Sequence, residues 1–277
     1  MLFASREGLL LKRLVYSALI GGYERLLEQP AAPESDVEFI LFTDADLADV
    51  SANWKTVRVE PRFINDSVRS ARYLKIIGHP LLDEYDQTLW IDNRVILRDG
   101  FEKLFSKLDE FDIALPIHSF RGPLENEFES VLSMGFDDPQ RVRELYLLAR
   151  KAHIEASQTL WTGLLLRRRS AEVERCMRTW MDHLLLTSRR DQLSINLAID
   201  ISGISVNRFH LDNFESQYHT WTTTDLIQRN SRIQTWRNPS RSAALRISDR
   251  IRSLPHGYKI ARGLAKLGLR LPTLPAS

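Results

Sequence analysis

Short β-branched and aromatic runs alternating with amphipathic segments predict an α/β fold: a mainly parallel sheet covered by helices on both faces. Three observations carry this expectation. Runs such as RLVYSALIGG (13–22), VEFILFTD (37–44) and TLWI (88–91) have the length and composition of buried strands. Segments between them repeat apolar residues at helical spacing. Neither an internal repeat nor a linker interrupts the alternation before about residue 225.

Taken in order, the opening strand 13–22 ends in a Gly-Gly turn, and the strand 37–44 closes on Asp44. WKTVRVE (54–60) is a third, short strand. DSVRSARYLKIIGHPLL (66–82) predicts a helix, capped by Asp66, with Val68, Ala71, Leu74 and Ile77 on its apolar face. The strand 88–91 follows, then a helix over GFEKLFSKL (100–108) and a strand over FDIALPIHS (111–119). Residues 139–152 read as a helix with Pro139 near its start. LWTGLLLRR (160–168) is a strand, with Arg167, Arg168 and Arg169 at its end and just beyond. Helices over 170–186 and 188–202 and a last strand over 204–209 complete the body.

Length and composition suit one large domain: 277 residues, 43% hydrophobic and 27% charged, which support a sizeable core and exclude global disorder. One cysteine, Cys176, excludes an intramolecular disulfide and a cysteine zinc cluster, and fits a cytoplasmic protein. Arg6, Lys12 and Arg13 interrupt the apolar residues of the amino terminus, so neither a secretory signal nor a membrane span is expected there. The net charge of +2 is unevenly spread. From Arg229 onward eleven Lys or Arg face one acid, Asp249, giving +10 and leaving −8 on the first 228 residues. This divides the chain into a body, 1–228, and a basic helical appendage, 229–277. The appendage mixes Ile251, Leu254, Ile260, Leu264, Leu267 and Leu271 with Arg and Lys, a pattern suited to an anionic membrane surface or to packing on the acidic body. A nucleic-acid partner is not expected, because the acidic body opposes a polyanion and the sequence carries no recognised nucleic-acid motif.

The run YDQTLWIDNRVIL (85–97) is broken by one acid, Asp92. An unpaired carboxylate inside a strand is costly, so Asp92 belongs where the strand leaves the sheet at its carboxyl end, the edge where open α/β sheets bind ligands. The alternative for Asp92 and Asn93 is a turn. Arg69, Arg72 and Lys75 form a broad cationic stripe on one helix, suited to an anionic ligand or to solvent. HSFRGPLENEFE holds His118, Arg121 and Glu127 just after a strand end. His118 suits positioning or deprotonating a hydroxyl, or a structural hydrogen bond, and Arg121 with Glu127 suits a surface ion pair. In SRRDQLSIN, Ser188 resembles a helix cap with Asp191 as its capping-box acid. Cys176 belongs to a helix core.

VYSALIGGYERLLEQP, FILFTD, RSARYLKIIGH, YDQTLWIDNRVIL, HSFRGPLENEFE and SRRDQLSIN, in this order, resemble a glycosyltransferase-like family formerly known only as a domain of unknown function. It includes plant Golgi proteins of mucilage and wall polysaccharide synthesis and bacterial cell-surface glycan proteins. The resemblance spans roughly residues 13–215. It implies the GT-A fold of nucleotide-diphosphosugar transferases for residues 1–228, and transfer of a sugar from a nucleotide-sugar donor to a glycan or lipid-linked acceptor in bacterial cell-surface polysaccharide synthesis. A catalytically silent nucleotide-sugar or glycan-binding module of the same fold is the alternative. The resemblance further implies donor binding by Asp44, Arg69, Arg72, Lys75, Asp92 and Asn93. Asp92 occupies the first position of an Asp-x-Asp metal site whose second acid is replaced by Arg94. A divalent cation, Mg²⁺ or Mn²⁺, is implied at Asp92, with His210 or His219 completing it. Asp191 and His118 are implied in the chemistry, and Arg121, Glu127 and Gln192 in acceptor or sugar binding. The cytoplasmic body would work at the inner face of the membrane, touching it through the basic appendage.

Overall fold

The computed structural model of the chain describes residues 11–22, 26–45 and 53–222, with Ile251, Ile260 and Leu264 beyond them. The expectations for the appendage therefore lie outside the described residues. A seven-stranded sheet forms the centre, in the order β3-β2-β1-β4-β7-β6-β8. Its strands are β1 (Arg13–Leu19), β2 (Glu38–Thr43), β3 (Lys55–Arg58), β4 (Gln87–Ile91), β6 (Ile113–Pro116), β7 (Leu164–Arg168) and β8 (Val206–Phe209). β5 (Val95–Leu97) and β9 (His219–Trp221) make a small antiparallel ladder beside it. All neighbours in the main sheet pair in parallel except β7, which runs against both β4 and β6. The expected mainly parallel sheet flanked by helices is present.

The pleat sorts β1 to two cores. Leu14, Tyr16 and Ala18 face one core with Trp90, Trp180 and Ile195, covered by helices α1 (Ser67–Ile76), α4 (Ala171–Leu186) and α5 (Asp191–Ser202). Val15 and Leu19 face the other, filled by Phe101, Phe105 and Leu108 of a 3₁₀ segment, Phe101–Leu108. Helices α2 (Leu124–Met134) and α3 (Pro139–Lys151) build a third cluster with Leu193 and Leu197 of α5.

Besides the added ladder of β5 and β9, three differences from expectation stand out. The helix beginning at Ser67 stops at Ile76 rather than running to 82, because Gly78 takes a φ of 90° and Pro80 opens a 3₁₀ turn, Pro80–Glu84. The segment 101–108 is 3₁₀ rather than α. The helix α2 was not expected at all, although Leu124, Phe128, Val131 and Leu132 carry its period and Gly135 ends it at φ 65°.

Two features of this frame position the site. β2 and β3 lie to one side of β1 and β4 to the other, so the chain reverses direction between β1 and β4. In open α/β sheets the crevice at such a switch point, outside the carboxyl strand ends, is where ligands bind. The turn after β1 is the second feature. Gly21, at φ 78°, lies so close to α1 that an added Cβ would stand 2.8 Å from Ser67 Cβ. Gly21→Ala should therefore lower the unfolding free energy by about 1–3 kcal/mol. Gly135→Ala, whose φ is 65° but whose surroundings are open, should cost less. Urea unfolding of both variants checks this; equal costs would show that contact with Ser67 is unimportant.

Candidate active site

β4 ends at Ile91, and Asp92 turns out of the sheet at the carboxyl edge, its amide donating to Gly163 O at 2.9 Å. Because β7 is antiparallel, the residues just before it, Thr162 and Gly163, lie at this same edge. α1 descends from the edge, and its side chains lean back toward its amino terminus. Lys75 thereby reaches up to the strand end. Its Nζ donates to Asp191 Oδ2 at 2.6 Å and to Asp92 Oδ1 at 3.2 Å. Trp90 Nε1 donates to the same Asp92 oxygen at 2.8 Å, and the Lys75 ammonium stands 5.5 Å over the Trp90 ring. Asp191, the first residue of α5, pairs through Oδ1 with Arg72 Nε at 3.0 Å and accepts from Thr162 Oγ1 on Oδ2 at 3.1 Å. Trp180 Nε1 donates to the Asp191 carbonyl at 2.9 Å, fixing the helix start.

Two cations and two carboxylates thus form one compact, neutral quartet. Its members divide by depth: the Lys75 and Asp191 side chains are 0% and 4% exposed, those of Arg72 and Asp92 17% and 31%. Only the last two offer much surface to a ligand. Burial opposes the charge of Asp191, but Arg72, Lys75 with its hydrogen bond, and Arg190 outweigh it and hold the carboxyl well below its ordinary range. Asp191 is a permanent anion near neutral pH, and therefore a weak proton acceptor.

The sequence-predicted residues separate accordingly. Arg72, Lys75, Asp92 and Asp191 come together. Arg69 does not join them: it pairs with the helix cap Asp66 at 2.7 Å. Asp44 accepts from the Gly21 amide on both oxygens, at 2.9 and 3.1 Å, clamping the turn after β1. Asn93, expected at the donor, turns back onto β1, donating to Ala18 O at 3.1 Å and standing 2.9 Å from Ser17 Oγ through Oδ1. Gln192 is partly exposed beside Asp191. Ser188 does not cap α5, whose cap position is Arg190; its hydroxyl donates to buried Asp137 at 2.6 Å. Arg167, Arg168 and Arg169 lie at the opposite edge because β7 is reversed, and their guanidiniums bind the carbonyls of Ile76, Leu108 and Asp83. Trp90 and Thr162 were not anticipated as site residues. Trp90 sits two residues before Asp92, and that spacing on one strand face was the available signal.

A second group lies along the same edge. β6 runs parallel to β4, both being antiparallel to β7, so His118 just beyond β6 is at the carboxyl edge too. Its ring packs edge-on against Phe120 at 4.2 Å, and its Nδ1 is buried with no hydrogen-bond partner. Burial, then Arg121, lowers its pKa from 6.5 to about 4, so it is neutral at neutral pH. Arg121 Nε bonds Glu127 Oε2 at 2.9 Å, and burial raises the Glu127 pKa although Arg121 opposes it. Asp191 and Arg190 act on the same carboxyl, which ties the two groups together electrostatically. A cavity of about 350 Å³ opens beside Arg121, lined also by Phe120, Asn126, Glu129, Ser130 and Ser133. A similar cavity, about 370 Å³, lies between α1 and the segment after β3 and touches neither Asp92 nor Asp191.

The residues present do not fit a divalent cation. Both oxygens of Asp191 are taken, Asp92 Oδ1 accepts two donors, and Asn93 Oδ1 faces Ser17. His219 is buried with both ring nitrogens engaged, Nδ1 with Ser216 Oγ at 2.8 Å and Nε2 with Asn213 O at 3.2 Å, and its ring lies on Trp161. His210 is exposed after β8. Among the described residues no three of His, Cys, Asp and Glu could share a metal ion.

Comparison with known proteins gives likeness in structure alone. No protein-family model and no curated protein matches the chain. Among solved structures, the chain is similar to core-mannan synthase A from Aspergillus fumigatus in its Mn/GDP form, with TM-score 0.43, 11% identity and 74% of each chain covered. It is also similar to the galactosyltransferase LgtC with donor and acceptor sugar analogues, with TM-score 0.42, 15% identity, and 71% of this chain and 72% of that one covered. An active-site mutant of LgtC gives TM-score 0.44 and 14% identity over the same shares.

Two outcomes follow from the charges. Asp191→Asn leaves the buried Lys75 short of its main partner and should destabilise the fold by about 3–5 kcal/mol. A carboxyl with a depressed folded pKa stabilises fully above its unfolded value, near 3.8, and loses that contribution only as pH falls through the folded value. Wild type should therefore keep its advantage over Asp191→Asn from neutral pH down to about 3.8, as read by denaturant titration. His118 behaves in the opposite sense. Between pH 6.5 and 4 the unfolded chain binds a proton that the folded one refuses, so stability falls as pH is lowered through this window. His118→Gln should flatten that slope; an unchanged slope would show that His118 does not contribute to it.

Proposed function

We propose that the protein is a glycosyltransferase of GT-A type, moving a sugar from a nucleotide-sugar donor to a hydroxyl of a glycan or lipid-linked acceptor. The observation that carries this reading is the Arg72–Asp191–Lys75–Asp92 quartet at the switch point of the sheet. The resemblance of six sequence stretches to glycosyltransferase-like proteins agrees with it, and cell-surface polysaccharide synthesis is the setting that resemblance suggests.

In the proposed reaction the acceptor hydroxyl attacks the anomeric carbon while the bond from that carbon to the diphosphate oxygen breaks. The nucleoside diphosphate leaves with the bonding electrons. Arg72 meets the growing negative charge, since a guanidinium can fork onto phosphate oxygens and stabilises the departing group more than the intact donor. Asp191, buried and anionic, holds Lys75 and Arg72 beneath the donor rather than meeting the sugar itself. The hydroxyl proton needs a different acceptor. Glu127, whose proton affinity burial raises, is the better candidate, while neutral His118 is suited to orienting the hydroxyl. The cavity beside Arg121 and the exposed rings of Phe120 and Phe214, stacked at 4.8 Å, would receive the acceptor. The net charge of +10 beyond residue 228 would draw the body to anionic lipid, a cytoplasmic membrane face suiting a lipid-linked acceptor.

A panel of nucleotide sugars assayed for nucleotide release tests the activity. Asp92→Asn should reduce release by about 10²–10³-fold, the cost typical of losing one preorganised electrostatic contact. Arg72→Ala should weaken nucleoside diphosphate binding by about 1.5–3 kcal/mol. Binding without turnover for every donor would instead identify a catalytically silent module. Sedimentation with anionic vesicles, comparing the full chain with one ending at residue 228, tests the membrane contact. Equal sedimentation would remove it.

A further inference from the structure

We infer that the ammonium of Lys75 takes the place a divalent cation would need, so that the site holds its donor without metal. This inference rests on the proposed donor site. Mg²⁺ or Mn²⁺ on a diphosphate takes about six ligands, of which the protein must supply one or two carboxylates with lone pairs to give, phosphate and water supplying the rest. Here Asp191 Oδ2 and Asp92 Oδ1 each take two donors and Asp191 Oδ1 faces Arg72, so of the two carboxylates only Asp92 Oδ2 is left to give. Lys75 Nζ lies between Asp191 Oδ2 at 2.6 Å and Asp92 Oδ1 at 3.2 Å, bridging the two carboxylates as a metal would. Trp90 Nε1 occupies Asp92 Oδ1 a second time, and Arg72 and Thr162 complete Asp191.

Charge points the same way. Asp92 and Asp191 are balanced by Lys75 and Arg72, so an arriving divalent ion meets a neutral cluster with a fixed ammonium in it. That ammonium cannot swing aside cheaply: its side chain is 0% exposed, and α1 behind it is anchored where Tyr16 Oη bonds Lys75 O at 2.9 Å and Arg167 Nη1 bonds Ile76 O at 2.5 Å. The replacement of a second acid by Arg94 is consistent, since a site without metal has no use for that ligand. Asp92 then holds Lys75 and Trp90 in place and presents its outer side to the donor.

The test uses the wild-type chain with its six tryptophans labelled with ¹⁵N, so that each indole N–H gives one signal. Trp90→Phe assigns the one beside Asp92. Equimolar Mn²⁺, whose unpaired electrons erase signals nearby, should leave the Trp90 signal at full intensity, alone and with UDP, GDP, ADP or CDP. Calorimetry should give the same affinity for whichever diphosphate binds, within about twofold, in chelator and in Mn²⁺. Selective loss of the Trp90 signal, or a tenfold gain in affinity with Mn²⁺, would overturn the inference. If none of the four diphosphates binds, the proposed donor site falls, and the Mn²⁺ titration of the free protein still decides whether Lys75 closes the carboxylates to metal.

Discussion

Burying the ammonium of Lys75 obliges three distant segments of the chain to finish at one point. An unpaired ammonium inside a protein costs several kcal/mol even after relaxation, so carboxylates must be delivered to it. β4 supplies Asp92 by ending at Ile91, and α5 supplies Asp191 by beginning there. α1 must stop at Ile76, and its last carbonyls, which have no partners within the helix, are capped from the sheet by Tyr16 of β1 and Arg167 of β7. The Tyr16 hydroxyl, its pKa raised by burial against the pull of Arg167, stays protonated and can donate to Lys75 O. The charged cluster above and the capped helix end below are two halves of one constraint on the position of Lys75.

The cluster also divides labour by depth. A carboxylate that must be a base cannot be held by two cations, because each one lowers its proton affinity. Asp191 is so held, and burial with Arg121 lowers the proton affinity of His118 as well, whereas burial raises that of Glu127. In the proposed reaction, environments that drive pKa values apart would assign roles: a fixed anion at the switch point, and a proton-accepting carboxyl, Glu127, beyond β6. Glu127 senses both Asp191 and Arg121, so a change of charge in one group is felt in the other.

The parts of this design that depend on local pattern were legible in the sequence. Strand-end logic placed Asp92, and helical spacing put Arg72 and Lys75 on one face, because both periods are properties of the backbone. Strand direction was not legible. Arg167 to Arg169 look like strand-end cations until β7 proves antiparallel, which moves them to the opposite edge. Long-range partners were equally hidden: Asp44 and Asn93 have the residue types of ligand-binding groups, yet the amide of Gly21 and the backbone of β1 claim them. His219 likewise has the chemistry of a ligand until the fold surrounds it with Asn213, Ser216 and Trp161. The missed helix α2 is different, because its apolar period was present and the acidic face, with Pro123 before it, obscured it.

A cation built into the fold differs physically from one that arrives with the ligand. A metal brought by a diphosphate adds its charge only when donor binds, and chelation removes it without harming the fold. Lys75 is present in every folded molecule, and its desolvation is met during folding by Asp191 and Asp92. The quartet is then neutral before the donor arrives, so it cannot attract a diphosphate by net charge at long range. What it provides is preorganisation: Arg72 kept beside Asp191 by charge, and Asp92 held by Lys75 and Trp90. Such a site loses little reorganisation energy as charge moves onto the leaving group, which is where fixed dipoles and charges act most strongly. In the proposed site, stability and donor recognition would share the same four side chains, so a substitution at Lys75 or Asp191 would disturb both.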